Sequence, residues 1–339
     1  MVHTPCESHT VNIIWQTQNG QQTQFELDYL RDVIFKKVSY TPIFDEGKCQ
    51  ADADHSIIVY SSAQVVLDPI LRDYFQRHHS FGLIHLSEER LNHEKDYYKK
   101  ARFVLRSYHD PRISDDHVFS LPLGFQSGYI NKDSDIDFDA KNLVWSFAGQ
   151  VKSNRRPMIK AFSKLKPHKL VLTKVWADPN GLSVSDMAEV YRRSIFAPCP
   201  FGNRNPDSFR IMEALEYGCI PVSISFLGED YFKYIFGDHP FLIASTWSDA
   251  LKEMNYLLDH PTLLRERQLR VWNWYQNFKE DLSHDIADIV AGKNSIELRS
   301  KQFFYQKQKP SLKTLLLYNL YYGRGFVRRV FRFFINKWC

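Results

Sequence analysis

The residues from Phe196 to Ile224, FAPCPFGNRNPDSFRIMEALEYGCIPVSI, carry the densest chemistry in the chain. A short apolar run is followed by a loop rich in Pro, Gly and Asn, running from Pro198 to Pro206. A helix is then expected over Asp207–Tyr217, because proline's fixed φ suits a first helical turn. Gly218 suits a left-handed helix end, and a second apolar run starts at Ile220. In such a strand–loop–helix–strand unit the helix N-terminus faces the edge of a parallel sheet, where an anionic diphosphate binds. Arg210 and Glu213 lie three residues apart and share a helix face. The cation suits a diphosphate and the carboxylate suits two ribose hydroxyls. The same spacing also fits an ordinary βαβ unit with a surface ion pair. Ser208 stands just before this pair.

A second phosphate-facing element is expected where Gly149 closes a strand and Arg155 and Arg156 open the next helix. An ordinary turn with solvated arginines is its plainer counterpart. For proton transfer, Glu88 and Glu89 follow the apolar run Gly82–Leu86, where they are expected to line a cleft and take the proton of an attacking hydroxyl. His85 and Asp110 are further candidates. An acidic pair at a helix start would serve equally to complement the helix dipole.

Asp133, Ser134 and Asp135 spell an Asp-x-Asp that could hold a divalent ion against a diphosphate. No apolar strand precedes it, so a solvated linker is expected. His78, His79 and His93 lack further ligands at useful spacing, and the cluster Trp272, Trp274, Tyr275 and Phe278 reads as packing. No metal site or cofactor is expected.

Positioning these residues takes two α/β units. Strands are expected at Val11–Trp15, Ser56–Tyr60, Gly82–Leu86, Phe103–Leu105 and Val118–Leu121, with helices over Phe25–Phe35 and Glu88–Ala101. After a polar linker, 131–141, alternation resumes with strands Leu143–Phe147, Lys169–Leu172, Ile195–Ala197 and Ile220–Ile224. Helices are expected at Arg155–Leu165, Ser185–Arg193 and, further on, about 247–257 and 261–278. The implied organisation is two Rossmann-like domains, 1–130 and 142–300, facing each other across a cleft. The length of 339 residues agrees with two cores.

The charge is unevenly placed. Residues 301–339 hold five Lys and four Arg with no acid, so this segment carries +9 and the first 300 residues −4 of the net +5. Mixed with Leu, Phe, Tyr and Trp, it reads as a basic amphipathic helical tail that docks on an anionic membrane face. The five cysteines are scattered and odd in number, which points to reduced thiols. With no apolar leader and no run of eighteen apolar residues, a cytoplasmic protein peripheral to the inner membrane face is expected, without nucleic acid as partner.

Several segments together resemble exostosin-type glycosyltransferases. These are Pro200-Phe201-Gly202, Ser208-Phe209-Arg210, Glu213-Ala214-Leu215 and Gly218-Cys219-Ile220-Pro221-Val222, preceded in order by Val104–Tyr108, Leu121–Gly124 and Phe147-Ala148-Gly149 with Arg155-Arg156. Phe201 departs from an Arg usual in that family, and Ser107 from an Asn. The resemblance implies a GT-B fold and inverting, metal-independent transfer from a nucleotide-diphosphate sugar, UDP-linked by preference, to a glycan or lipid-linked glycan. A metal-dependent GT-A-type transferase using Asp133 and Asp135, or a non-catalytic glycan-binding or membrane-associated subunit, are the rival readings.

Overall fold

The computed structural model describes residues 10–16, 25–45, 56–61, 76, 80–91, 96–133, 135–152, 154–175, 178–292 and 298–322. His78, His79, His93 and the stretch 323–339 lie outside them.

Two parallel sheets form. The first contains β1 (Val11–Gln16), β2 (Tyr40–Asp45), β3 (Ser56–Ser61), β4 (Phe81–Leu86), β5 (Ala101–Ser107) and β6 (Val118–Leu121), in the order β2-β1-β3-β4-β5-β6. The second contains β7 (Leu143–Gln150), β8 (His168–Thr173), β9 (Ser194–Pro198), β10 (Ile220–Ile224) and β11 (Leu242–Ala244), in the order β11-β10-β9-β7-β8. Central strands of parallel sheets are covered on both faces, so they read as unbroken apolar runs. Accordingly β4 and β10 are buried at every position, whereas the edge strand β8 has none buried.

Among the described residues the helices are α1 (Leu27–Tyr29), continued by a π-helical turn at Leu30–Ile34, then α2 (Arg155–Phe162), α3 (Val184–Arg192), α4 (Arg210–Glu216), α5 (Lys233–Phe236), α6 (Trp247–Leu258), α7 (Pro261–Val290), α8 (Lys301–Lys307) and α9 (Leu312–Tyr322). Local chemistry sets several starts. Ser183 Oγ accepts from Asp186 N at 3.1 Å ahead of α3, and Thr246 Oγ1 from Asp249 N at 3.2 Å ahead of α6. Proline opens α7. Gly218 follows α4 at φ 63°, the left-handed conformation expected there.

Three expectations are corrected. The helix expected over Glu88–Ala101 does not form at its start: Glu88–Leu91 is a turn between Ser87 at φ 59° and Leu91 at φ 50°, and Asp96–Lys100 is a 3₁₀ turn. Burial decides this, because Glu88 is drawn inward to Arg106 and Tyr97 and Tyr98 into the core. The helix expected from Asp207 starts only at Arg210 and spans seven residues. Asp207 holds the preceding loop open by accepting from Leu123 N at 2.8 Å and from Ser208 N.

The third correction concerns the tail. Residues 301–322 are part of the folded body, because Phe303, Tyr318, Tyr321 and Tyr322 are buried. Phe303 packs edge-on to Phe119 at 5.4 Å, and Tyr318, Tyr321 and Tyr322 surround Phe226. Gln306 ties the halves together, donating to Ser120 O at 2.8 Å in the first and Tyr234 O at 2.6 Å in the second. No helix among the described residues is long and apolar enough to cross a membrane.

Candidate active site

The cleft between the two halves is about 320 Å³ and draws walls from both. The N-terminal half contributes Glu89, Tyr108, Leu123 and Tyr129; the C-terminal half contributes Gly149, Lys152, Arg155, Ser208, Arg210 and Glu213. The ends of β4, β5, β7 and β9 lead into it, as the topology of parallel sheets requires.

Gly149, the penultimate residue of β7, sits at φ 147°, where any side chain is strained, and a Cβ there would lie 2.5 Å from Arg210 Nη2. That vacated space admits the guanidinium, which donates to Ala148 O at 3.0 Å and lies 5.0 Å from the Phe147 ring centroid. No ion pair within 4.0 Å joins Arg210 to Glu213, so the surface-pair arrangement is not what forms. Glu213 is buried instead, and desolvation raises its carboxyl to about 7 despite the opposing influence of Arg210.

Arg155 opens α2 and turns into the cleft. It donates from Nη1 to Gln150 O at 3.0 Å and from Nη2 to Phe201 O at 3.3 Å. Burial, and then the neighbouring Arg210, lower its pKa to about 9. Arg156 points to solvent and does not line the cleft, which corrects its pairing with Arg155. Helical geometry separates successive side chains by about 100°, so only one of the two can face the site.

The two glutamates also divide. Glu88 is 2% exposed and pairs with Arg106 at 2.8 Å inside the N-terminal half, off the cleft. Glu89 lines the cleft and reaches across it, its Oε1 accepting from Arg204 N at 2.6 Å and Asn205 N at 3.3 Å. His85 is buried against Tyr98, with Nδ1 2.5 Å from the hydroxyl, and Asp110 holds Arg112 at 2.7 Å. Neither lines the cleft. Asp133 and Asp135 lie on the exposed connection, Asp133 3.9 Å from Arg192, and also away from the cleft.

Three site residues escaped the sequence reading. Lys152 adds a third cation, its pKa lowered by desolvation and by Arg155, and it bonds Asn203 Oδ1. Asp207 is buried with its carboxyl raised to about 7 by desolvation. Tyr108 sits at φ 65°, a strained conformation of the kind that gathers at functional sites. Only Lys152 had a legible signal, as a base just beyond the Gly149 strand end.

Ser208 Oγ, Arg155 Nε and both polar atoms of Asn154 are buried without a protein hydrogen-bond partner. Buried polar groups are nearly always satisfied, so such a cluster beside a cationic cleft is what a polar, anionic ligand would complete.

No protein-family model matches the sequence, and no curated protein does. Among solved structures, the chain is similar to an α1,3-fucosyltransferase, with a TM-score of 0.52 and 11% identity over 90% of this chain and 94% of that one. It is also similar to the DNA-modifying enzyme β-glucosyltransferase, whose structure was determined with and without its substrate uridine diphosphoglucose. Here the TM-score is 0.51 and the identity 13%, over 83% of this chain and 99% of that one. The chain has the GT-B fold. In GT-B terms, the cleft described above is the space between the two Rossmann-like halves, and the rival fold considered for Asp133 and Asp135 is not the one adopted.

Proposed function

We propose that the protein is an inverting glycosyltransferase, of exostosin type, that moves a sugar from a nucleotide-diphosphate donor to a glycan or lipid-linked glycan. The observation that carries this is the convergence of Lys152, Arg155 and Arg210 on one cleft that also holds the buried Glu213. The three cations receive the diphosphate, and Glu213 receives the ribose hydroxyls. As the donor bond breaks, charge grows on the leaving diphosphate. Fixed guanidinium and ammonium groups stabilise that charge without reorganising, so the transfer needs no metal. The substrate named for the similar β-glucosyltransferase, uridine diphosphoglucose, is of the same class as this donor.

Glu89 is the base. It extends from the N-terminal wall into the cleft, where it takes the acceptor hydroxyl's proton as the oxygen attacks the anomeric carbon. Its bonds to Arg204 N and Asn205 N fix the carboxylate toward the donor loop. The domains divide as 1–130 for the acceptor and 142–300 for the donor, with 131–141 between them. Docking on an anionic membrane is assigned to 323–339, whose sequence mixes Arg324, Arg328, Arg329, Arg332 and Lys337 with Phe and Trp. On this reading the enzyme works at the cytoplasmic membrane face on a lipid-linked acceptor.

The test is transfer or donor hydrolysis with a panel of UDP- and GDP-sugars in excess EDTA, with the anomeric configuration of the product read by NMR. Turnover with inversion is expected. Turnover that vanishes in EDTA and returns with Mn²⁺, or retention of configuration, overturns the proposal.

A further inference from the structure

Glu89 belongs to the N-terminal half but is held by the C-terminal one. Its Oε1 accepts from both Arg204 N, at 2.6 Å, and Asn205 N, at 3.3 Å. These N–H groups sit in a tight turn, closed by Gly202 N donating to Asn205 O at 2.8 Å. Bonds to a charged acceptor are the strong ones, so this turn sets where the carboxylate stands. Both fall on one oxygen, and the other is the one that can meet an acceptor hydroxyl.

Two residues fix this arrangement from opposite ends of the sequence. Tyr322, the last residue of α9, is buried, and its hydroxyl accepts from Asn205 Nδ2 at 3.1 Å and donates to Arg204 O at 3.2 Å. The two residues whose N–H groups hold Glu89 are therefore the two that Tyr322 holds. Gly202 acts through the side chain it lacks. A Cβ there would lie 2.7 Å from Glu89 Oε1, too close for a real carbon, whereas its next neighbours, Asn205 O and Asp207 O, would lie at 3.4 Å. An added methyl would thus meet the far end of a flexible side chain and move the carboxylate rather than the loop. We infer that Tyr322 and Gly202 are positioning residues for Glu89: the hydroxyl fixes the turn, and the missing side chain leaves the carboxylate its place. Their effect on turnover rests on Glu89 being the base, as proposed above; their hold on the carboxylate does not.

The experiment compares Tyr322→Phe and Gly202→Ala with the parent, each with and without Glu89→Gln. Tyr322→Phe keeps the ring against Phe226, Tyr318 and Tyr321 and removes only the hydroxyl. The first readout is NMR of the Arg204 and Asn205 backbone amides in the full chain, with no ligand added. In the parent, Glu89→Gln should move both amide protons upfield, because a neutral acceptor replaces a charged one. In Tyr322→Phe or Gly202→Ala the same substitution should move them by less than about half as much. The second readout is turnover of the UDP- and GDP-sugar panel. Each variant should lose at least about tenfold in kcat with nucleotide affinity retained, and nothing further once Glu89→Gln is present. Equal amide displacements in the parent and the variants, or turnover losses that add fully to that of Glu89→Gln, overturn the inference. Gly202→Ala decides alone should Tyr322→Phe not fold. If Glu89→Gln turns over like the parent while the amide displacements shrink in the variants, the base assignment falls and the positioning stands.

Discussion

Gly149 and Arg210 share one volume: the side chain that Gly149 lacks is replaced by the Arg210 guanidinium, which a Cβ would approach to 2.5 Å. The arginine is therefore aimed by a residue 61 positions earlier, and it closes the strand end from which β7 enters the cleft. Gly149→Ala should displace the guanidinium and strain the backbone by about 1–3 kcal/mol. The expected result is a nucleotide affinity lower by at least about tenfold in a protein that still folds, read by calorimetry and thermal denaturation. Unchanged affinity would mean that Arg210 does not meet the donor.

Glu88 and Glu89 should separate by readout. Glu88→Gln breaks a buried pair with Arg106 and should cost stability, about 3–5 kcal/mol by analogy with other buried pairs. Glu89→Gln should instead lower turnover by about 10²–10⁴, with nucleotide affinity retained. A Glu89→Gln enzyme losing less than about tenfold returns the role of base to another group.

The carboxyl of Glu213 stands at about 7 when folded, against 4.5 for an unburied glutamate. A raised acid stabilises the fold fully below the unfolded pKa, and that contribution is lost as pH rises through the folded value. Comparing melting temperatures of the parent and Glu213→Gln between pH 4.5 and 7.5, the parent should fall relative to the variant as pH increases. Asp207 and Glu26, also raised to about 7 by burial, contribute the same sign and remain in both proteins. Parallel curves would place Glu213 in water rather than in the buried cleft wall.

Truncation at residue 300 should abolish cooperative unfolding. It removes Phe303, Tyr318, Tyr321 and Tyr322, all buried. At roughly 1.5–3 kcal/mol for each fully buried large side chain, their loss rivals the whole stability of an ordinary domain. A 1–300 chain that melts like the parent would detach α8 and α9 from the core. Vesicle co-sedimentation separates the remaining role: the full chain should pellet with anionic vesicles and the 1–322 chain should not.

Much of the fold was open to reading because buried parallel strands announce themselves as apolar runs such as Gly82–Leu86 and Ile220–Ile224. Arg210 and Glu213 were legible because an apolar strand, a Gly/Pro loop and a helix bring them to a sheet edge. What stayed hidden depends on contacts between distant residues. Nothing local distinguishes Arg155 from Arg156 until the start of α2 is fixed to the residue. Glu88 and Glu89 look equivalent until Arg106 claims the first. Lys141, assigned to a polar linker, is in fact buried, its ammonium donating to Ser194 O at 2.9 Å and Tyr217 O at 2.8 Å. A lysine of that kind reads as solvated in any local window. The tail was misread because basic residues among aromatics fit a membrane surface and a packed helix pair equally well by composition.

The most direct measurement is calorimetric titration of UDP and GDP into the parent protein and Arg210→Ala, in EDTA, with both proteins checked for an unchanged melting temperature. The parent should bind one of the two nucleotides, and Arg210→Ala should lose about 1.5–3 kcal/mol of that affinity, as expected for a charge-assisted bond to phosphate. Absence of binding to either nucleotide in the parent, or equal binding in both proteins, would contradict the assignment of the cleft as a nucleotide-sugar site.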